Sequence, residues 1–182
     1  MVRDIAASEN KEVELTIEGH DIEADRKVID ALRDPLLHLV RNAVDHGIET
    51  PAERERAGKA RAGHVRVEAT IHAGRLVVTV ADDGAGLDEA QITRVARERG
   101  GSVQDVAQLV LAGGISTRTE ATEISGRGVG MDIVRSSMER IGGGVEVEWR
   151  QGAGTTFTLE CPPTPSTLRA VLLRIGAHVF AV

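Results

Sequence analysis

The chain is organised around residues 38–47, HLVRNAVDHG, in which polar residues recur at helical spacing. With about 3.6 residues per turn, positions 38, 41, 42, 45 and 46 fall on one face of a helix. These positions hold His38, Arg41, Asn42, Asp45 and His46. An exposed helix usually carries Lys and Glu, whereas this face carries two imidazoles, a guanidinium, a carboxamide and a carboxylate among apolar neighbours. The pattern is therefore typical of a face that meets a ligand.

The composition indicates a globular domain without an intrachain disulfide. The chain has 182 residues, of which 41% are apolar, enough for one core. Its net charge of -6 argues against nucleic-acid binding, which needs clustered Lys and Arg. Cys161 is the single cysteine, and no apolar run reaches the length of a membrane span or of a signal-peptide core. We expect a cytoplasmic protein that neither inserts into a membrane nor binds nucleic acid.

Strand and helix patterns are mixed along the chain. Alternating apolar and polar residues predict a strand at 11–18 and two hairpins, 64–71 with 75–81 and 145–149 with 155–161. Helical spacing predicts helices at 25–32, 35–48, 88–99, 103–111 and 129–141. A further strand pair is predicted at 168–175 and 178–182. This order predicts an α+β fold, a two-layer sandwich in which helices cover one face of a mixed, mainly antiparallel sheet.

Two local features refine this prediction. Asp34 and Pro35 have the residue types of an N-cap and of a first helical residue, so we expect the central helix to begin there. The segment 51–59, PAERERAGK, is strongly charged and helix-prone. A charge run of this kind is most often a solvated connecting helix, and we expect no chemistry from it.

Two glycine-rich motifs follow the helix face. Residues 82–86, DDGAG, come directly after a strand, where a carboxylate can accept a hydrogen bond from an exocyclic amine and glycines admit a flat ligand. By itself this motif could be a plain turn. Residues 126–131, GRGVGM, open a helix whose N–H groups and dipole suit a phosphate, although a flexible hinge is the alternative. The Lys of a P-loop is absent from it.

Together, and in this order, the polar helix face, the two glycine motifs and residues 152–155, GAGT, resemble the four nucleotide-binding boxes of the Bergerat-fold ATPases. That superfamily includes histidine kinases, DNA gyrase B, MutL and a heat-shock chaperone. HLVRNAVDHGIE, DDGAGL and SGRGVGMDIV are very similar to the kinase domain of CheA-type chemotaxis histidine kinases. The resemblance implies an ATP-binding catalytic domain at 11–163, the end of an upstream dimerisation or linker segment at 1–10, and the truncated start of a CheW-like regulatory domain at 164–182.

The resemblance also implies roles for the residues that contact the adenine base and the metal. Asp82 would bind the adenine N6, with Gly84 and Gly86 shaping the base pocket and Thr155 supporting the contact. Asn42 would offer its carboxamide oxygen to Mg²⁺, a hard ion that prefers oxygen ligands, and His38 would join or approach the metal shell.

Further residues would surround the phosphates. Arg41 and His46 would face them, and Asp45 belongs to the same box with its role left open. A lid would border the triphosphate through Gly126, Gly128, Val129, Gly130 and Met131, with Arg118 as its basic residue. The family commonly has two phenylalanines and a proline before residues 116–117, where this chain has Leu111, Gly113 and Ile115. We therefore expect looser lid closure, which lowers activity without abolishing nucleotide binding.

The implied function is that of a protein histidine kinase, which transfers the γ-phosphoryl group of MgATP to a histidine. No histidine lies on a recognisable phosphoacceptor helix, so the substrate would be a phosphotransfer domain of the same or a partner chain. Without it, the fragment is expected to be nearly inactive. A CheW-like adaptor and a receptor array are expected partners through the C-terminal region, and a response regulator is an indirect one.

Two alternatives come from other functional classes. The first is a Bergerat-fold ATPase that hydrolyses ATP to drive clamp closure. Such hydrolases usually place a Glu ahead of the Asn as a base for water, whereas this chain has Leu36, Leu37 and His38 there. The second alternative is a signalling scaffold that binds nucleotide but whose degenerate lid no longer supports transfer.

Overall fold

The structure, a computed structural model, describes residues 1–19, 21–98, 106–112, 131–163, 172–175 and 178–181. Within these ranges, no helix is both long and apolar enough to span a membrane. The helices are α1 (Val2–Ser8), α2 (Arg26–Asn42), α3 (Pro51–Arg56), α4 (Glu89–Glu98), α5 (Val106–Leu111) and α6 (Met131–Arg140), with a π-helical turn at Ala43–Gly47. The strands are β1 (Val13–Glu18), β2 (Gly63–His72), β3 (Arg75–Asp82), β4 (Gly144–Arg150), β5 (Gly154–Cys161), β6 (Leu172–Ile175) and β7 (His178–Ala181).

Five of the strands form one mixed sheet in the order β1-β2-β3-β5-β4. β1 pairs with β2 in parallel, whereas the other three pairings are antiparallel. Both predicted hairpins are confirmed, and β6 pairs with β7 in a separate two-stranded sheet. In the pairing of β3 with β5, Asp82 lies opposite Thr155, which brings two distant motifs together at one end of the sheet.

The core lies between this sheet and the helices that cover one of its faces. Val65, Val80 and Leu159 contribute buried side chains from the sheet, and Leu39 and Met138 contribute them from α2 and α6. The predicted α+β sandwich, with a mainly antiparallel sheet, is therefore confirmed.

The predicted start of the central helix is wrong. α2 begins at Arg26, with the Asp25 carboxylate as N-cap accepting a hydrogen bond from the backbone N–H of Lys27 at 2.7 Å. Pro35 lies inside the helix and is buried. The apolar stripe continues through it from Leu32 to Leu39, so burial of that stripe outweighs the missing N–H and the clash that usually end a helix at proline.

The predicted end of the central helix, at residue 48, also differs from the structure. The α-helix stops at Asn42, and the chain continues through the π turn, where the N–H of Ile48 bonds to the carbonyl of Ala43 at 2.8 Å. Turns of this type insert one extra residue per turn and occur often at functional sites. The α-helical spacing on which the single polar face was predicted therefore ends at Asn42.

Candidate functional site

A cavity of ≈ 320 Å³ lies against the end of α2, the π turn and the ends of β3 and β5. Its polar or small lining residues include Asn42, His46, Asp82, Gly86 and Thr155, and the apolar Met131 lies among them. Its apolar wall comes from Leu87, Ile92, Val110 and Phe157. Because aliphatic side chains form most of that wall, the cavity suits a flat apolar group with a few polar edges.

Asp82 is the carboxylate of this cavity, at the end of β3. Its Oδ1 accepts a hydrogen bond from the Gly84 N–H at 2.9 Å, and the Thr155 N–H also donates to the carboxylate. Burial is the main cause that raises the pKa of Asp82 to about 6; the negative charges of Asp83 and Glu49 contribute in the same direction, and the two hydrogen bonds oppose them. The carboxylate is thus held in a fixed orientation in an environment that favours a partner with an N–H.

The glycines of the DDGAG loop allow a close approach between this loop and the π turn. A Cβ atom at Gly84 would lie 2.0 Å from the carbonyl oxygen of Gly47, and the Ala85 N–H donates to that same oxygen at 2.9 Å. Gly86 has a φ of +72° and no room for a side chain against the Arg150 carbonyl. The loop and the turn therefore form one wall of the site.

The amide nitrogen of Asn42 contacts two neighbouring side chains. Its Nδ2 is 3.0 Å from His38 Nε2 and 3.8 Å from Met131 Sδ. With the amide nitrogen engaged in this way, the carboxamide oxygen has no hydrogen-bond partner among the residues that the structure describes and can meet a ligand. Burial lowers the pKa of His38, and the nearby Arg41 charge lowers it further, which favours the unprotonated ring nitrogen that this contact requires.

The predicted site residues fall into three groups. Asn42, His46, Asp82, Gly86, Met131 and Thr155 line the cavity, with His38 and Gly84 directly behind it. Arg41, which is exposed, and Asp45 do not line it. Asp45 lies in the π turn, where α-helical spacing no longer holds, whereas Arg41 precedes the turn in α2. The predicted lid residues lie outside the described residues, namely Arg118, Gly126, Gly128, Val129 and Gly130, and so do the atypical Gly113 and Ile115.

The charged segment 51–59 contains two residues that the sequence reasoning missed. Arg54 is only 1% exposed, and its guanidinium bonds to the carboxylates of Asp83 at 2.8 Å and Glu49 at 3.1 Å. Lys59 Nζ donates to Glu49 at 2.6 Å and to the carbonyl of Gly84 at 2.7 Å. The prediction of a purely solvated connecting helix is therefore wrong for these two side chains.

This network fixes the DDGAG loop through residues that do not line the cavity. Asp83 uses its other oxygen, Oδ1, to accept from the His64 N–H at 2.8 Å, so both of its oxygens are bound. The acidic pair Asp82 and Asp83 was the sequence feature that could have indicated these cations, because two adjacent carboxylates need cations nearby if they are to be buried. The charge run holds several Arg and Lys residues, so the sequence alone could not select Arg54 and Lys59.

The sequence profile of one family, described as histidine kinase-, DNA gyrase B-, and HSP90-like ATPase, matches residues 27–165. That range contains α2, the π turn, the DDGAG loop and the Thr155 strand end. The chain belongs to this ATPase family. Residues 1–26 and 166–182 lie outside the matched range.

Curated relatives match the chain over nearly its full length. It is 40% identical over 191 residues to the chemotaxis protein CheA of Halobacterium salinarum, covering 100% of this chain and 29% of that protein. It is 41% identical over 186 residues to the chemotaxis protein CheA of Salmonella typhimurium, covering 99% of this chain and 28% of that protein. The chain thus spans less than a third of the length of these two relatives.

A solved structure supports the fold of this ATPase-family chain. The mycobacterial sensor histidine kinase MprB superposes with a TM-score of 0.54 at 19% sequence identity, covering 90% of this chain and 91% of that one. At this level of identity the similarity concerns the arrangement of strands and helices alone.

Proposed function

We propose that this domain binds MgATP and transfers the γ-phosphoryl group to a histidine of a separate phosphotransfer domain, in chemotaxis-type two-component signalling. The observation that carries the proposal is the cavity lined at once by Asp82 and Thr155, by aliphatic side chains, and by Asn42 and His46. The CheA relatives support the signalling context.

The adenine base is proposed to occupy the aliphatic part of the cavity. The Asp82 carboxylate accepts from the N6 amine, an interaction that is strong because the acceptor is charged and desolvated. Leu87, Ile92 and Val110 provide apolar contact for the ring faces. Thr155 supports the base indirectly, since its backbone N–H orients the Asp82 carboxylate.

Asn42 is the proposed protein ligand of Mg²⁺, through its carboxamide oxygen. Among the described residues no group of three or more His, Cys, Asp or Glu side chains could hold a metal ion. A magnesium ion that takes one or two protein oxygens together with phosphate oxygens and waters fits such a site. When bound, the ion neutralises negative charge on the phosphates. His38 orients the Asn42 carboxamide, and its own entry into the metal shell through Nε2 would require the contact between the two side chains to break.

The remaining assignments are proposals that follow the family resemblance. His46 and Arg41 face the phosphates, Asp45 belongs to the same box, and Arg118 with residues 126–131 forms the lid. Residues 11–163 are the catalytic domain, 1–10 the end of an upstream segment and 164–182 the start of a regulatory domain that contacts a CheW-like adaptor. The cytoplasmic location stays a prediction.

Phosphotransfer to an isolated acceptor tests the proposal. The domain is mixed with γ-labelled ATP, Mg²⁺ and a histidine phosphotransfer domain, and acid-labile, base-stable label on the acceptor is measured. At an ATP concentration below saturation, we expect equal labelling by the unsubstituted protein and by the surface variant Asp30→Asn, and labelling at least about tenfold lower by Asp82→Asn. Steady phosphate release without an acceptor would favour the hydrolase alternative. Nucleotide binding without any transfer would favour the scaffold.

A further inference from the structure

Lys11 contacts the π turn at carbonyls other than the one that the DDGAG loop binds. Its Nζ donates hydrogen bonds to the carbonyl oxygens of Val44 at 2.9 Å and Asp45 at 2.7 Å. The last carbonyls of a helix have no intrahelical partner, and a positive charge is favourable at this end of the helix dipole. A single ammonium group therefore satisfies two backbone acceptors of the turn that follows Asn42.

Two different parts of the chain thus bind separate carbonyls of the π turn. The carbonyl of Gly47 accepts from the Ala85 N–H of the DDGAG loop, whereas the carbonyls of Val44 and Asp45 accept from Lys11. Between these two attachments the turn carries His46, which lines the cavity. Any shift of the Lys11 ammonium changes the support of one side of the turn while the other side stays bound to the loop.

Lys11 is itself tied to helix α1. Its backbone N–H bonds to the carbonyl of Ala6 at 2.8 Å, the Asn10 N–H bonds to the carbonyl of Ala7, and Asn10 has a φ of 53°. This pattern is a Schellman motif, in which a left-handed residue ends the helix. Ala6 is buried in the core, and Ile5 packs against it. The position of Lys11 is therefore set by the packing of α1.

We propose that Lys11 is a positioning residue of the nucleotide site, which holds the π turn in its binding geometry and couples that geometry to α1. The inference rests on the proposed function, because it concerns the affinity of the same cavity for an adenine nucleotide. A displacement of α1 would change the support of the turn through one side chain and thereby change nucleotide affinity. Lys11 touches backbone of the π turn, so its effect is exerted through His46 and Asn42.

Four proteins test this inference: the unsubstituted chain, Lys11→Met, Lys11→Arg and Arg61→Met. Arg61 is a matched control, since it is exposed and bonds to Glu12 and Glu55 on the surface. Calorimetry with ADP and Mg²⁺ is carried out below the melting temperature of each protein, and hydrogen exchange of the Ile48 amide is measured without nucleotide. We expect ADP affinity on the order of tenfold weaker and faster Ile48 exchange in Lys11→Met, with partial recovery in Lys11→Arg and no change in Arg61→Met.

A third Lys11 variant provides for the case in which Lys11→Met folds poorly. Lys11→Gln keeps an N–H donor group on a side chain one bond shorter than that of Lys, and we expect it to give an intermediate loss of affinity. A double-mutant cycle with His46→Ala separates positioning from a general loss of stability, because coupling through the turn makes the two losses of affinity less than additive.

The outcomes separate the two proposals. Unchanged ADP affinity in Lys11→Met, or weaker affinity with unchanged Ile48 exchange, would overturn the Lys11 inference and leave the nucleotide site standing. Strictly additive losses in the cycle would overturn it as well. Absence of ADP binding by the unsubstituted protein would overturn the proposed function and the inference together.

Discussion

Asp82 lowers the stability of the unliganded domain and is also the residue proposed to bind the adenine amine. Burial raises the pKa of this carboxyl group to about 6, so at neutral pH the domain holds a charge in an environment that favours the neutral form. An adenine amine would supply the missing N–H. The residue therefore has the character of a binding group maintained at the expense of stability.

Asp82→Asn is expected to separate these two effects. Asn keeps an oxygen for the Gly84 N–H but carries no charge, so we expect ADP affinity at least about tenfold weaker. At pH 7.5 loss of the buried charge stabilises the unliganded variant, whereas the Asn amide nitrogen cannot accept from the Thr155 N–H, so we expect a net gain in stability of about 1 kcal/mol. Calorimetry and urea denaturation measure the two quantities. A variant that is less stable at pH 7.5, with unchanged ADP affinity, would refute this view of Asp82.

The same carboxyl group predicts opposite pH dependences for stability and for binding. Because its folded pKa lies above the unfolded value of 3.8, the unliganded protein loses stability as pH rises from about 4 to 6. ADP affinity should change in the other direction, weakening as pH falls through about 6, where the carboxylate becomes protonated. Titrations from about pH 4 to 8 check this, and Asp82→Asn should lack the part of both dependences that comes from this carboxyl group.

At the level of elements, the DDGAG loop and the π turn meet through a contact that admits only glycine at position 84. A Cβ atom at Gly84 would lie 2.0 Å from the Gly47 carbonyl oxygen. In Gly84→Ala we expect the loop to move from the turn, with a loss of about 1 to 3 kcal/mol in stability and weaker ADP binding. Gly144→Ala is the control, since a Cβ there would meet nothing within 4 Å. Equal denaturation midpoints for the two variants would contradict the importance of this contact.

Helix α3 is connected to the same loop through a buried cation. Arg54→Met would leave Asp83 and Glu49 without their guanidinium partner, and we expect a loss of about 2 to 4 kcal/mol in stability. Arg56→Met, on the exposed side of the same helix, should leave stability unchanged within experimental error. Urea denaturation of the two variants side by side measures the difference. A neutral Arg54→Met would show that Lys59 alone holds the loop.

Elements were predictable where periodicity is local, and less so where packing decides. Alternation along 64–81 and 145–161 was sufficient for both hairpins. By contrast, Pro35 predicted a helix start, but it lies inside α2. The free energy gained by burying the apolar stripe on either side of it depends on tertiary packing, which the sequence does not show. The π turn was not predictable either, since it depends on long-range contacts from Lys11 and Ala85.

For the whole molecule, the site is assembled from segments far apart in sequence. Asn42, Asp82, Met131 and Thr155 come from α2, β3, α6 and β5, and they line one cavity because the sheet order places β3 beside β5 under the covering helices. Composition and periodicity predicted a sandwich but not this meeting of motifs. Their grouping was predictable only through the resemblance to a family, and the buried partners Arg54 and Lys59 lay beyond it.

This cavity is proposed to bind MgATP, with the carboxamide oxygen of Asn42 as a ligand of the metal ion. Calorimetry with ATP, in Mg²⁺ and again in a chelator, on the unsubstituted protein and on Asn42→Ala tests it most directly. We predict that the unsubstituted protein binds ATP about tenfold or more tightly with Mg²⁺ than without, and that Asn42→Ala binds it equally in both conditions. No binding by the unsubstituted protein, or a Mg²⁺ dependence that Asn42→Ala leaves unchanged, would contradict the claim.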